Sequence, residues 1–536
     1  MGNRWLKNWE KLGYIWLFLC FACVAMMAYL FTKHSLSDDK VVENPAKSAT
    51  PKKTYPSQEI PQKHKSDTRV DVSHIDAEAL NAGAIANQRI IVFKDRAALE
   101  RFLSNMGGDV SLLGRLDSLN ALLVGFRSPL DLDGLLDGDE ETAFNFPANI
   151  PDLPQGSVQD GALALGNKLL QYLGITADNS LWGTGVKIAV LDTGIADHMV
   201  FANSILRINL VDLPSDLSLI NGHGTSVASL IFSNDPRAPG IAPGATPISV
   251  RIAGDDGSSS SFLIAQGIIA AVDAGAQLIN ISLGGYGNSS LVENAVAYAA
   301  SKNAVIISSS GNTGTEGVLY PAAYPSVIAV GSVDAGNQHL DFSTTGSQVA
   351  LSAPGYGITA AYPNDMAASV TGTSFSAPIV TGAIAAAMSN TGTKTLNTTS
   401  AVKAVTSKLN DVGTQGTDTS TGAGVPDMWR VLNGNTPGIY DAAVTSVGVT
   451  GNSVQVLVQN QGTETLLNSS VTVNVNGVTT TANLTTLTPG ESRTVTVASG
   501  GGEGLNITGS VQVSSGQSDL RPSNNAVSVT TPISNP

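Results

Sequence analysis

The chain is short of cysteine and of positive charge, and both shortages limit what it can be. Only 2 of its 536 residues are cysteines, and both, Cys20 and Cys23, lie in one apolar run. The remainder therefore cannot form an internal disulfide, and its stability has to come from the size of its core. Lys and Arg total 29 against 43 Asp and Glu, a formal net charge of −14. We expect no nucleic-acid partner, because nothing offsets repulsion by the phosphates.

A long uncharged apolar run extends from Leu12 to Phe31. Its length is about the 20 residues that a helix needs to cross a bilayer. Arg4, Lys7 and Lys11 precede it, which favours an N-terminus in the cytoplasm and the rest of the chain outside. We predict that residues 1–32 form a cytoplasmic tip and a transmembrane signal-anchor. A cleavable signal peptide is the alternative, although such peptides usually have a shorter apolar region that ends in small residues.

Composition and periodicity divide the rest of the chain into four parts. Residues 33–85 are rich in Lys, Ser, Asp and Pro, which predicts a flexible tether. Residues 86–150 read as a small α+β unit, in which Asp95 caps a helix that buries Leu99 and Phe102. Residues 155–435 alternate apolar strands with helices, which is typical of a parallel sheet covered on both faces. Residues 438–536 alternate with period two and predict an antiparallel β-sandwich. The fold class is therefore α/β, with an all-β appendage.

Three segments of the α/β part carry residues suited to nucleophilic catalysis. Asp192-Thr193-Gly194 ends a predicted strand, His223-Gly224-Thr225 precedes a helix, and Ser374 lies in Gly372-Thr373-Ser374 before another. A serine hydroxyl needs a base to take its proton, and a neutral imidazole can do so near pH 7. A buried carboxylate then orients the imidazole. Because ligand sites of parallel sheets form at the carboxyl ends of strands, we expect these side chains to meet there.

A fourth segment, Ser308 to Asn312, follows the strand that begins at Ala304. The Asn312 carboxamide could donate a hydrogen bond to the oxyanion of a tetrahedral intermediate. Together with Ser282-Leu283-Gly284-Gly285, these segments resemble the subtilisin-like serine peptidases in kind, order and spacing. The resemblance implies that Asp192 orients His223, that His223 is the general base and acid, and that Ser374 is the nucleophile.

The same resemblance implies a substrate cleft and a zymogen. One wall of the specificity pocket would consist of Ser282, Leu283 and Gly284. Gly311 would also bind the substrate, and Leu319 would lie near the pocket floor. Substrate would pair along an edge formed by Gly257, Ser258 and Ser259. The expected partners are peptide or protein substrates, the chain's own propeptide in residues 86–150, and the membrane. We predict self-cleavage between about residues 145 and 165, which would separate the protease from its anchor and could release it.

Departures from the family pattern concern residues outside the triad. Ser226 stands where many members have a second histidine, and Ser229 replaces a common glycine. The segment Ser233–Pro239 is shorter than the loop that holds a tight calcium ion in several relatives. The chemistry requires no cofactor and the sequence predicts no metal ligand, while the binding of a structural calcium ion stays open.

Two alternatives remain at this point. The chain could be a catalytically silent binding or surface protein on a protease fold, although the intact set of Asp192, His223, Ser374 and Asn312 argues against it. The C-terminal sandwich resembles immunoglobulin-like or adhesion-type modules. It could bind substrate or a surface, or simply stabilise the enzyme.

Overall fold

A computed structural model describes residues 79–151, 159, 161–212, 221–389, 396–450, 452–500 and 504–530. The predicted anchor and most of the predicted tether lie outside these ranges. Within the described ranges, no helix is both long and apolar enough to cross a membrane.

A small α+β unit comes first in the described chain. Its elements are β1 (Gln88–Val92), α1 (Arg96–Asn105), β2 (Val110–Leu116), β3 (Ala121–Phe126), α2 (Pro129–Asp133) and β4 (Glu141–Ala143). The four strands form an antiparallel sheet in the order β2-β3-β1-β4. Asp95 Oδ1 accepts a hydrogen bond from Ala98 N at 2.8 Å and so caps α1, as the sequence predicts. Leu99 and Phe102 are buried against one face of this sheet.

The α/β part is built on seven parallel strands, and the predicted fold class is confirmed. In chain order its elements are α3 (Leu169–Tyr172), β6 (Lys187–Asp192), β7 (Leu206–Asn209), α4 (His223–Phe232), β8 (Thr246–Arg251), α5 (Ser261–Asp273), β10 (Leu278–Ile281), α6 (Ser290–Ser301), β11 (Val305–Ser309), β12 (Val327–Val333), β13 (Val349–Pro354), α7 (Thr373–Ser389), α8 (Thr398–Thr406) and α9 (Met428–Asn433). The strand order is β13-β12-β11-β10-β6-β8-β7.

Short antiparallel pieces lie outside this sheet. The strands β5 (Pro147–Asn149) and β9 (Ser258–Ser260) pair with each other, as do β14 (Ile358–Tyr362) and β15 (Met366–Val370). The second pair is a hairpin that leads directly into α7, and therefore into Ser374.

Both faces of the parallel sheet are covered, because successive residues of each strand point to opposite sides. In β6, Ile188 and Val190 pack into the core that contains α4 and α7. Ala189 and Leu191 pack into the core that contains α5 and α6. The near-continuous apolar sequence of the strand thus reflects burial on two sides.

The small α+β unit packs its second sheet face on α5 and α6. Ile90, Leu116 and Leu123 belong to the same buried cluster as the apolar side chains of these helices. Asn145 adds polar contacts, since its Oδ1 accepts hydrogen bonds from Ser261 Oγ at 3.0 Å and Phe262 N at 3.1 Å. The side chain therefore satisfies one free N–H group in the first turn of α5 and also accepts from the Ser261 hydroxyl.

The last part of the chain is a two-sheet β-sandwich. Its strands are β16 (Ala442–Thr450), β17 (Ser453–Asn460), β18 (Leu466–Val475), β19 (Val478–Leu487), β20 (Ser492–Ala498), β21 (Asn506–Gln512) and β22 (Ala526–Thr530). One sheet has the order β16-β17-β20 and the other β19-β18-β21-β22. The inward residues form a separate Val- and Leu-rich core between the sheets.

Arg521 joins the sandwich to the α/β part. Its guanidinium contacts Asp441 at 2.6 Å and Asp427 at 3.1 Å, and it stacks over the Trp429 ring at 4.0 Å. Asp427 is the N-cap of α9, the last helix of the α/β part. Arg521 of the sandwich therefore contacts the start of that helix. Burial raises the pKa of Asp441 above its ordinary value, while Arg521 acts in the opposite direction. The two parts therefore share a buried charged contact.

Candidate active site

The predicted site residues converge at the carboxyl edge of the parallel sheet. Asp192 is the last residue of β6, Ser282 follows β10, and Asn312 lies shortly after β11. These three strands are neighbours, and the strand order reverses between β6 and β10. Such a reversal opens a crevice at the strand ends, which is where α/β proteins bind their ligands.

A buried carboxylate holds the imidazole of His223. His223 Nδ1 lies 2.8 Å from Asp192 Oδ1 and 3.0 Å from Asp192 Oδ2. Asp192 is 0% exposed, while 12% of the His223 side chain is exposed to the cleft. The carboxylate fixes a proton on Nδ1, which leaves Nε2 as the acceptor.

Three contacts fix the backbone and the ring of His223. Thr193 Oγ1 accepts a hydrogen bond from Gly224 N at 3.1 Å, which fixes the first turn of α4 against the end of β6. A Cβ at Gly224 would lie 2.3 Å from Gly194 O, so only glycine permits this approach. The Phe375 ring packs on the imidazole, with centroids 5.3 Å apart. The first two contacts fix the backbone next to His223, and the Phe375 ring packs against the imidazole.

Ser374 is the second residue of α7 and is 2% exposed. Its Oγ donates a hydrogen bond to Ser282 O at 3.0 Å, and Ser282 Oγ donates one to Ser374 O at 2.7 Å. The hydroxyl therefore points along the wall of the cleft in this structure instead of toward His223 Nε2. A turn about its Cα–Cβ bond redirects it.

Asn312 is held in a fixed orientation by the residue before Ser374. Asn312 Oδ1 accepts hydrogen bonds from Thr373 N at 3.0 Å and Thr373 Oγ1 at 2.8 Å. Because the carboxamide oxygen is used in this way, its Nδ2 is the group turned toward Gly372, beside the start of α7. The contribution of Thr373 cannot be deduced from the sequence motif alone.

The predicted substrate edges run along both sides of one extended segment of the chain itself. β5 pairs with β9, aligning Pro147 with Ser260 and Asn149 with Ser258. On the other side, Asn149 N donates to Gly284 O at 3.0 Å and Gly284 N donates to Asn149 O at 3.1 Å. The segment thus forms the middle strand between the edge at residues 257–259 and the wall at residues 282–284.

Leu319 lies between two residues that the sequence assigns to the specificity pocket, Gly284 and Gly311. Leu319 is 7% exposed, and its side chain is next to both Gly284 and Gly311. Backbone hydrogen bonds from Leu319 N to Ser310 O and between Tyr320 and Gly285 fix the loop that carries it. The arrangement brings the residues assigned to the pocket together around one apolar side chain.

The two serines that depart from the family pattern connect α4 to the β14–β15 hairpin. Ser226 Oγ donates to Ala361 O at 2.8 Å, and Ala361 N donates to Ser229 Oγ at 3.0 Å. They link the helix that begins at His223 to the hairpin that leads to Ser374. No group of three or more His, Cys, Asp or Glu side chains that could hold a metal ion occurs among the residues placed in the structure.

Comparison with known proteins agrees with this geometry. Residues 183–424 match the model of the subtilase family, Peptidase_S8. Thermitase from Thermoactinomyces vulgaris is 36% identical over 237 residues, which are 43% of this chain and 85% of that protein. Subtilisin BL from Lederbergia lenta is 38% identical over 212 residues, 39% of this chain and 78% of that protein. Alkaline elastase YaB from Bacillus sp. (strain YaB) is 30% identical over 332 residues, 59% of this chain and 85% of that protein. Peptidases of this family need no cofactor for catalysis. The chain therefore belongs to the subtilase family and is a serine endopeptidase.

Proposed function

We propose that Ser374, His223 and Asp192 hydrolyse peptide bonds through an acyl-enzyme. The observation that carries this proposal is the short contact between His223 Nδ1 and the buried Asp192, which leaves His223 Nε2 free to act as a base. In the reaction, the Ser374 hydroxyl turns from Ser282 O to His223 Nε2, gives up its proton and attacks the peptide carbonyl. His223 then protonates the leaving nitrogen, and water releases the acyl group.

A serine-directed reagent tests these roles directly. A fluorophosphonate should phosphonylate Ser374, and mass spectrometry of the digested protein should locate the adduct on that residue. The His223→Ala variant should be labelled far more slowly, because the hydroxyl then has no base. Ser369 lies exposed on β15 and is the matched control, since Ser369→Ala should be labelled as the wild type is. Labelling at a residue other than Ser374 would refute the assignment.

Asn312 and the backbone N–H of Ser374 would stabilise the oxyanion. We expect Asn312→Ala to lower kcat by about 10²–10³, the loss known for the corresponding change in subtilisin, with little change in KM. Steady-state hydrolysis of a short peptide measures both constants. Thr313→Ala, at the next residue, is the control. A KM effect as large as the kcat effect would indicate a role in binding instead.

Leu319 would set the preference for the residue that precedes the cut. Its apolar side chain should favour apolar residues of moderate size and disfavour Arg. We expect Leu319→Ala to shift the ratio of kcat/KM for Phe over Val substrates by about tenfold toward Phe, because the pocket gains several methyl-sized groups of space. A ratio of rates is insensitive to the amount of folded enzyme. If the ratio measured with a library of peptide substrates is unchanged, Leu319 does not form the pocket floor.

We also propose that the chain is a zymogen that cuts itself. The support is the strand at residues 147–149, which pairs with both substrate edges in the manner of a bound peptide. The small α+β unit before it is then the propeptide. Intact mass of the chain from Lys33 onward tests this. The wild type should lose the unit, and Ser374→Ala should keep it. Loss of the unit from both chains would assign the cut to another protease.

We propose further that the apolar run Leu12–Phe31 anchors the precursor, with the catalytic part outside the cytoplasm in the periplasm or at the cell surface. The support is the length of the run and the basic residues that precede it. Full-length Ser374→Ala protein should stay with membranes after extraction at alkaline pH, whereas the same variant begun at Lys33 should not. Recovery of both in the soluble fraction would refute the anchor.

A further inference from the structure

The extended segment in the cleft pairs with both edges as far as Ile150, and its register identifies the partner of Pro151. Asn149 and Gly284 exchange both of their backbone hydrogen bonds. On the other side, Ile150 N donates to Gly257 O at 3.0 Å. In an antiparallel pair, the next residues to exchange both bonds lie two positions further along each strand. Pro151 therefore comes opposite Ser282.

Proline cannot make the bond that this position calls for. A residue with an N–H group at position 151 would donate to Ser282 O, but proline has none. Ser282 is 0% exposed, so its carbonyl oxygen needs another donor. The donor in the structure is the Ser374 hydroxyl, at 3.0 Å. The nucleophile thus occupies the place of the missing N–H group.

The contact also identifies the bond that Ser374 faces. Because its Oγ contacts the carbonyl opposite residue 151, the Ser374 hydroxyl lies beside Pro151. We propose that self-processing cuts after Pro151, and that Pro151 slows this cut by leaving Ser282 O to accept the Ser374 hydroxyl. The proposal rests on the self-processing proposed above and adds its position and its control. Pro151 is then a residue that determines specificity, here against the enzyme's own precursor.

The reaction at this bond is an ordinary acyl transfer. The Ser374 oxygen bonds to the Pro151 carbonyl carbon while its proton passes to His223 Nε2. The bond from that carbon to the nitrogen of residue 152 breaks, and His223 protonates the departing amine. Water then hydrolyses the ester and restores the Ser374 hydroxyl. Pro151 acts before the first of these steps, because the Ser374 hydroxyl first has to leave Ser282 O.

Replacement of Pro151 provides the first test. The chain from Lys33 onward should process itself about tenfold faster as Pro151→Ala, which restores a hydrogen bond to a buried acceptor. Intact mass over time gives the rate, and the mass of the released part gives the cut. Pro489→Ala is the control, since Pro489 is exposed in the turn between β19 and β20 of the sandwich, and its rate should equal that of the wild type. Equal rates for Pro151→Ala and the wild type, or a cut elsewhere, would overturn the proposal.

Peptides added to the enzyme separate the missing N–H group from the rigidity of the proline ring. Three peptides copy residues 146–155 and carry proline, alanine or N-methylalanine at the place of Pro151. We expect the alanine peptide to be cut at least tenfold faster than the other two, since N-methylalanine also has no N–H group but has no ring. A fast N-methylalanine peptide would refute the role of the hydrogen bond.

The same peptides keep failure of the proposal distinct from failure of self-processing. If the wild-type and Pro151→Ala chains both stay intact for as long as their Ser374→Ala versions, self-processing is wrong. The peptide rates then still decide whether proline at this position slows the cut. Equal rates for the three peptides would overturn the proposal, and slow proline and N-methylalanine peptides would support it.

Discussion

Ser374→Ala should abolish hydrolysis, lowering kcat by about 10⁶, the loss known for the nucleophile of subtilisin. The reason is that the acyl-enzyme forms on the Ser374 hydroxyl, which the variant lacks. Ser282 Oγ is close by, but it donates its hydrogen bond to Ser374 O and lies in the cleft wall. What remains should be the acceleration by oxyanion stabilisation and binding alone, about 10³–10⁴ over water.

The assay has to separate loss of the nucleophile from failure to mature. An Ser374→Ala chain that keeps its propeptide would be inactive for two reasons. A trace of wild-type enzyme can first remove the propeptide from the variant. A fluorophosphonate then inactivates the wild-type enzyme. Ser369→Ala, matured in the same way but not exposed to the fluorophosphonate, should keep full activity. Hydrolysis by matured Ser374→Ala above one per cent of the control would contradict the assigned nucleophile.

Periodicity predicts the long elements of the fold because their burial repeats along the chain. The sequence predicts a strand over Val186–Leu191, and the structure has Lys187–Asp192. The sequence does not predict β4. Glu141 and Thr142 in this strand are exposed, so the strand shows no apolar periodicity. Pairing with β1 through the backbone makes this segment a strand, and such pairing leaves no trace in side-chain pattern.

The boundaries of two helices also differ from the prediction. The sequence predicts a helix from Ser226, but α4 begins at His223, although His, Gly and Thr are weak helix formers. Contacts with Thr193 and the end of β6 stabilise this first turn, which shows that tertiary packing outweighs propensity there. The sequence also predicts a helix over Leu130–Leu136, but the helix in the structure, α2, ends at Asp133, and Gly134 follows as its C-cap.

The composition of the site follows from motifs, but its hydrogen bonds do not. Three short segments far apart in sequence predict that Asp192, His223 and Ser374 meet, because strand ends of a parallel sheet share one edge. The hydrogen bonds from Ser374 Oγ to Ser282 O and from Thr373 N to Asn312 Oδ1 depend on distances between atoms in the folded chain. The spacing of the motifs along the sequence does not determine these distances. The same holds for the pairing of Asn149 with Gly284.

Asp192→Asn should lower kcat by about 10⁴ while leaving KM nearly unchanged. Asp192 Oδ1 accepts a hydrogen bond from Thr193 N at 2.7 Å, so an asparagine would keep its oxygen there and place its NH₂ group at the Oδ2 position. That position lies 3.0 Å from His223 Nδ1. A donor facing Nδ1 forces the imidazole proton onto Nε2, and the base can then no longer take the proton of Ser374.

The first-order rate of self-processing and the hydrolysis of a peptide both measure this loss. Asp197→Asn is the matched control, because the Asp197 side chain is 95% exposed and forms a surface ion pair with Arg207. Thermal unfolding checks that the Asp192→Asn variant is folded. We expect it to be, because the asparagine side chain is nearly the same size as that of aspartate. If the folded variant keeps more than a tenth of wild-type kcat, Asp192 does not select the tautomer of His223, and the carboxylate is only structural. A loss near 10⁴ with KM preserved assigns it to the transition state alone, since an interaction that also bound the substrate would raise KM.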